Sequence, residues 1–190
     1  MRCFSCHKPS ISVLCTRCKE TLLKPEITVR KIGSLDVYSF YSYASIEKLL
    51  FTKHTPIGHR VYKELANISF KPFMKHFVVN DPRDIFIIGI DERIKRGYSH
   101  VALLTHAMKT KHSKVLHASL LAQNKISYSG KTLEYRLENP RDFLYNGKNG
   151  IDAILIDDIL TTGTTIGEAR AVLQKNKVNV LFALTLADAR

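Results

Sequence analysis

Between residues 35 and 43, apolar and aromatic side chains (Val37, Phe40, Tyr41, Tyr43) interleave with small polar ones, a pattern that predicts a strand. Ser45 then opens a helix predicted through Phe51 and closed off by Pro56. Residues 60–77 place Val61, Leu65 and Ile68 at helical spacing, with a break expected at Pro72. The unbroken apolar run at 85–90 (Ile-Phe-Ile-Ile-Gly-Ile) predicts a strand buried on both faces, and a helix is expected over 98–109. Residues 115–121 fit a strand less cleanly, and 125–135 are polar with little periodicity, which predicts a mobile loop. The last unit is the clearest: strand 151–156, a Thr and Gly loop, helix 166–175 and strand 178–187. This is a βαβ pattern, so the expected fold class is α/β with parallel strands and a right-handed crossover.

The 190 residues, 45% hydrophobic and 24% charged, suffice for one filled core plus a small appendage and make intrinsic disorder a poor description. No apolar run reaches the roughly 18 residues of a membrane span, and the N-terminus lacks the apolar centre of a signal peptide, so a cytoplasmic location is expected. The formal charge of +12 points to polyanionic partners. Its distribution sharpens the point: residues 1–150 hold 25 Lys and Arg against 12 Asp and Glu, and 151–190 hold 4 against 5. That excess fits a long polyanion as a partner. Phe73, Tyr98, Tyr128 and Tyr135 have basic neighbours and are candidates to stack its bases, while Phe40, Phe86 and Phe182 are expected in the core.

All four cysteines lie within the first 18 residues, as Cys3-x2-Cys6 and Cys15-x2-Cys18. A secreted disulfide fold spreads its cysteines through the body it staples; two close pairs in a cytosolic chain read as a metal site. Four thiolates at about 2.3 Å saturate a tetrahedral zinc ion, which implies a structural role, with iron or a redox pair as the alternatives. His7 is read as a bystander. Residues 1–31 are accordingly expected to form a zinc-binding module that needs its metal to fold, and 32–190 the α/β domain. Arg2, Lys8, Arg17 and Lys19, with Phe4, surround the cysteines and are candidate contacts for nucleic-acid phosphates and a base.

The stretch Ile154-Leu155-Ile156-Asp157-Asp158-Ile159-Leu160-Thr161-Thr162-Gly163-Thr164-Thr165 is an apolar strand ending in two carboxylates, followed by a hydroxyl-rich turn into a helix. Helix N-terminal amides and the hydroxyls of Thr161, Thr162, Thr164 and Thr165 can surround a phosphate, with Gly163 allowing close backbone approach. Asp157 and Asp158 can accept hydrogen bonds from a vicinal diol or hold Mg²⁺ through water. A 5-phosphorylated ribose offers both features. Two other readings stay open. The acidic strand could be a Walker B element paired with Ser129-Gly130-Lys131-Thr132, although Lys125 stands where that phosphate loop wants glycine. Alternatively the acidic pair could simply cap the helix.

The same stretch resembles the phosphoribosyl pyrophosphate (PRPP) binding motif of type I phosphoribosyltransferases, two acids and a Thr-Thr-Gly-x-Thr loop after apolar residues. The double CxxC, the segment Ile94-Lys95-Arg96-Gly97-Tyr98-Ser99-His100 and the segment Lys131-Thr132-Leu133-Glu134-Tyr135-Arg136-Leu137-Glu138-Asn139 are together similar to the ComF family of competence proteins. Tyr98-Ser99-His100 stands where that family commonly has Phe-Asn-Gln, and Gly89-Ile90-Asp91 where prolines are common. The resemblance implies a type I phosphoribosyltransferase-like domain behind a zinc module, handling incoming single-stranded DNA in natural transformation, together with other competence or recombination proteins and with room for peripheral membrane association. For the site it implies PRPP with Mg²⁺, ribose hydroxyls on Asp157 and Asp158, either of which could serve as a general base, and pyrophosphate on Lys131 or on Arg93, Lys95 and Arg96. The loop at 125–135 is the candidate lid. Two other roles remain open for such a site: transfer of phosphoribose to an acceptor, and PRPP as a ligand that regulates DNA affinity.

Overall fold

The computed structural model describes residues 1–80, 83–90, 98–124 and 132–190. Eight strands are found among them: β1 (Thr28–Ile32), β2 (Leu35–Ser42), β3 (Ile85–Gly89), β4 (Ser113–Leu116), β5 (Leu120–Ala122), β6 (Phe143–Tyr145), β7 (Asp152–Leu160) and β8 (Asn179–Asp188). The helices are α1 (Thr16–Glu20), α2 (Tyr43–Leu50), α3 (Gly58–Ile68), α4 (Phe70–Asn80), α5 (His100–Ala107), α6 (Leu133–Glu138) and α7 (Thr164–Lys175), with a 3-10 turn at Phe51–His54.

Six strands form one sheet in the order β1-β2-β8-β7-β3-β4. β1 and β2 are an antiparallel hairpin, and every other neighbouring pair is parallel. Ala153, Ile154, Leu155 and Ile156 of β7 are all buried, because the two faces of this central strand meet separate apolar layers. Ile154 and Ile156 join α2, α3, α4 and α5 in one cluster; Ala153 and Leu155 join α7 and the β5–β6 ribbon in the other. The connection β3-α5-β4 steps outward in one direction and β7-α7-β8 in the other. The strand order therefore reverses between β3 and β7, and in open α/β sheets ligands bind beyond the carboxyl ends of the strands at such a reversal.

The sequence-based elements need three adjustments. The helix break expected at Pro72 falls at Ser69, whose hydroxyl bonds back to Leu65 O at 2.7 Å, and Pro72 is the third residue of α4. A first-turn amide has no intrahelical acceptor, so proline costs nothing there. The single strand at 115–121 is two strands divided at Ala118, which takes a φ of 50°. β4 extends the main sheet, while β5 pairs with β6 in a separate two-stranded ribbon. Finally, the acidic pair expected after the penultimate strand lies within β7, which continues to Leu160.

The cysteine segment has no core of its own. Cys3, Val13, Leu14, Cys18 and Leu23 are buried in the same cluster as Phe40, Tyr41, Phe70 and Met74. Tyr41 donates its hydroxyl to Leu23 O at 2.9 Å, and Lys19 pairs with Glu64 of α3 at 2.8 Å.

Candidate functional site

Successive residues of a strand point to opposite faces, so the two carboxylates of β7 have different surroundings. Asp158 is buried, and its Oδ2 accepts from Lys53 Nζ at 2.9 Å and His100 Nε2 at 3.2 Å. Burial alone pushes a carboxyl up, but the hydrogen bond from His100 and the charge of Lys53 outweigh it and hold Asp158 far below the usual carboxylate range. Tyr98 donates its hydroxyl to Lys53 O at 2.6 Å, tying the start of α5 to the 3-10 turn, and its ring sits edge-on to His59 at 5.6 Å. Tyr62 lies edge-on to His100 at 5.5 Å, with its hydroxyl buried and without a hydrogen-bond partner among the described residues. Burial, with the charges of Asp158 and Asp157, keeps that phenol well above its ordinary pKa and hence protonated. Asp157 is half-buried, and its Oδ1 accepts the amide of Asp158 at 2.8 Å.

Past Leu160 the chain turns at Gly163, which has a φ of 84°. A Cβ there would lie 2.3 Å from Ile32 Cδ1, so conformation and space both call for glycine. Gly163 leads directly into α7, whose first-turn amides face the turn side of the helix and carry its positive dipole end. The hydroxyls of Thr162 and Thr164 lie 2.8 Å apart. Thr161 is held by two arginines from distant parts of the chain. Its carbonyl accepts from Arg30 Nη1 of β1 at 2.8 Å, and its hydroxyl oxygen accepts from Arg136 Nη1 of α6 at 2.6 Å. Arg30 also pairs with Asp188 at 2.9 Å, both side chains being nearly buried. A turn of amides and hydroxyls at a positive helix end, beside a half-exposed carboxylate, is chemically suited to an anion joined to a polyol.

The four cysteine sulfurs lie within 4.8 Å of one another, and Cys6 Sγ and Cys15 Sγ are 3.8 Å apart. A zinc tetrathiolate with bonds of about 2.3 Å has tetrahedral edges of about 3.8 Å, so the donor set fits the ion. Amides favour thiolate here: burial raises the Cys3 thiol, but the amides of Cys15, Cys6 and Ser5 bring it down to about 6, the first at an N···S distance of 3.3 Å. Burial pushes Cys18 up to about 12, a cost that a bound dication would remove. His7 is exposed at the turn between Cys6 and Lys8.

The structure brings Asp157, Asp158 and the 161–165 turn to one end of β7. Arg93, Lys95, Arg96 and Lys131, the pyrophosphate candidates, lie outside the described residues, as does Tyr128 and most of the loop at 125–135. The described end of that loop includes the first residues of α6. Arg2, Lys8 and Arg17 are exposed around the cysteines, whereas Lys19 is paired with Glu64. Tyr98 is packed beside Lys53 and His59, away from the cysteine segment in sequence and contact. Phe73 is half-buried in an aromatic group with Phe40, Phe77 and Phe182. Lys53, His100, Arg30 and Arg136 carry site geometry without having been singled out by type; His100 and Arg136 were visible only as members of family-like segments.

No family model matches the chain. Competence protein ComFC of Bacillus subtilis (strain 168) is 25% identical to it over 191 residues, covering 97% of this chain and 76% of that protein. Among solved structures, a hypoxanthine phosphoribosyltransferase from Staphylococcus aureus aligns with a TM-score of 0.43 and 20% identity over 66% of this chain, and the match spans 64% of that enzyme's chain. Adenine phosphoribosyltransferase from Saccharomyces cerevisiae aligns with a TM-score of 0.44 and 16% identity, covering 90% of this chain and 87% of that one. Orotate phosphoribosyltransferase of Mycobacterium tuberculosis gives 0.43 and 13%, covering 90% and 74%. From its cysteine cluster through its acidic strand and threonine turn, the chain is similar along nearly its whole length to a ComF-type competence protein.

Proposed function

We propose that this protein is a ComF-like competence protein that binds a phosphoribosyl ligand, PRPP or a relative, and handles single-stranded DNA in the cytoplasm during natural transformation. The observation that carries the ligand reading is the placement of Asp157 and the Thr161–Thr165 turn at the carboxyl end of β7, beside the strand-order reversal. In this reading the 5-phosphate accepts from the first-turn amides of α7 and the threonine hydroxyls. Asp157 accepts from the ribose hydroxyls, and Asp158 is engaged below by Lys53 and His100. Mg²⁺ would be held through water by Asp157 and the ligand's own phosphate oxygens, where it supplies charge neutralisation for the pyrophosphate. A structural zinc on Cys3, Cys6, Cys15 and Cys18 would fix the N-terminal segment.

The DNA reading rests on the +12 charge, which lies outside residues 151–190, and on the likeness to ComFC. Exposed Arg2, Lys8 and Arg17 are its candidate phosphate contacts. Among the described residues no helix is long and apolar enough to cross a membrane.

The test is a pair of isotherms on one preparation: PRPP with Mg²⁺, and a single-stranded oligonucleotide. Binding of both is expected, with DNA affinity falling steeply as salt rises. Absence of PRPP binding would reject the ligand reading, and absence of DNA binding at physiological salt would reject the partner. Repeating the DNA isotherm with PRPP present reads out coupling between the two ligands. Release of pyrophosphate that disappears in Asp157→Asn would add group transfer to binding.

A further inference from the structure

We infer that single-stranded DNA lies along the outer face of α3 and the 3-10 turn before it, between the cysteine segment and the Asp158 network. This rests on the DNA reading proposed above and gives that partner a surface. At about 100° per residue, His59, Arg60, Lys63 and Asn67 fall on one stripe of α3, and all four are exposed. Val61, Tyr62, Leu65 and Ala66 form the buried side of the same helix.

Two features set this stripe apart from an ordinary solvated face. The first is charge. Solvated helix faces commonly mix signs at neighbouring positions, whereas the single acid of α3, Glu64, sits at the edge of the stripe and is neutralised by Lys19 at 2.8 Å. Arg60 and Lys63 make no ion pair among the described residues, and the first turn of α3 carries no acid to offset its positive dipole end. The second is an exposed ring. Phe51 is 67% exposed, more than any other Phe or Tyr among the described residues, and lies in the turn that abuts α3. Gly58 donates its amide to Thr55 O at 3.0 Å and has no room for a side chain against Thr52 O, so the turn and the helix start are held as one piece.

The ends of the stripe give it a direction. At the start of α3, His59 meets the Tyr98 ring at 5.6 Å, and Tyr98 is bonded to Lys53, the partner of Asp158. Further along, Glu64 reaches Lys19 of α1, the helix on which Arg17 is exposed. Basic positions thus continue from the cysteine segment along α3 towards Asp158. The helix spans about 16 Å, so Arg60 and Lys63 on it and Arg17 beyond it can hold several phosphates of one strand. Phe51 offers a π-face on which any base can stack.

A fluorescein-labelled oligothymidylate is the probe, titrated by anisotropy across a salt series. Wild type is compared with three variants: Arg60→Gln with Lys63→Gln; Phe51→Ala; and Lys175→Gln with Lys177→Gln. The last pair removes the same charge at the C-terminal end of α7, which packs in the other apolar layer. The α3 pair should weaken binding at least threefold at physiological salt and lower the slope of log K against log salt by about 1.4, the equivalent of two phosphate contacts on a single strand. Phe51→Ala should also lose at least threefold, with the slope unchanged, as removal of a stacking ring does. The α7 pair should lose less than threefold, and all three should melt near wild type. A loss below threefold in the α3 pair or in Phe51→Ala overturns the inference. So does a loss in the α7 pair equal to that in the α3 pair, which would make the effect one of net charge. The DNA reading survives either result. No binding by wild type overturns both.

Discussion

Asp158 takes two donors on one buried oxygen, so replacing it should act on stability before it acts on any ligand. Asp158→Asn replaces the buried carboxylate shared by Lys53 and His100 with a neutral amide, and with the lysine a quarter exposed the loss should be about 2 kcal/mol. Urea unfolding would measure the loss. The folded-state pKa of Asp158 is depressed, so its contribution is complete above the unfolded value of about 4 and fades as pH falls below it. The wild-type urea midpoint should therefore fall as the solution is acidified through that range, and the dependence should be flatter in Asp158→Asn. Asp157→Asn is the contrast: an asparagine Oδ1 can still accept the Asp158 amide, so stability should change by less than about 1 kcal/mol while PRPP affinity drops. Equal stability losses in the two variants would refute this division. The sequence made the acidic pair visible because its residues are adjacent; it gave no local sign of Lys53, which lies 105 positions away.

The turn between β7 and α7 was the most legible element, since hydroxyls, glycine and helix start are contiguous and each has a local physical reason. Gly163→Ala tests that reading: a left-handed φ of 84° costs a side-chain-bearing residue about 1–3 kcal/mol, and the β-branched Ile32, whose Cδ1 and Cγ1 would both crowd the new Cβ, must shift as well. A stability loss in that range, with weaker PRPP binding, is expected from thermal melts and calorimetry; an alanine variant as stable as wild type would mean that the turn tolerates another conformation. Elements defined by non-local contacts were less legible. The split of 115–121 into β4 and β5 depends on which sheet each half joins, and the division of α3 from α4 depends on Ser69 bonding back to Leu65, a choice that Pro72 obscured.

At the scale of the whole molecule, the cysteine pairs were read as a module that would lose its metal and unfold alone, but the apolar contacts point to a coupled unit. Cys3, Cys18, Leu14 and Leu23 share one cluster with Phe40, Phe70 and Met74, and Lys19 pairs with Glu64 across to α3. Losing the metal would therefore expose part of the layer that covers one face of the sheet. Structural zinc contributes an apparent free energy of about 10–16 kcal/mol in isolated small modules, and losing even about 4 kcal/mol of it shifts the melting temperature of a chain this size by roughly 10 °C. Cys18→Ser, or chelation of wild type, should accordingly move a single calorimetric transition downward as a whole. A variant that retains an unshifted main transition while only a minor early one appears would show that the segment is separable, and would return the boundary near residue 31 to the status of a domain limit. If instead the transition shifts as one, the cysteine cluster, the face of the sheet beneath it and the Asp158 network stand on the same apolar layer. Metal loss should then weaken PRPP binding with no cysteine near the ligand, and calorimetry on the chelated protein, below its lowered melting temperature, would read that out.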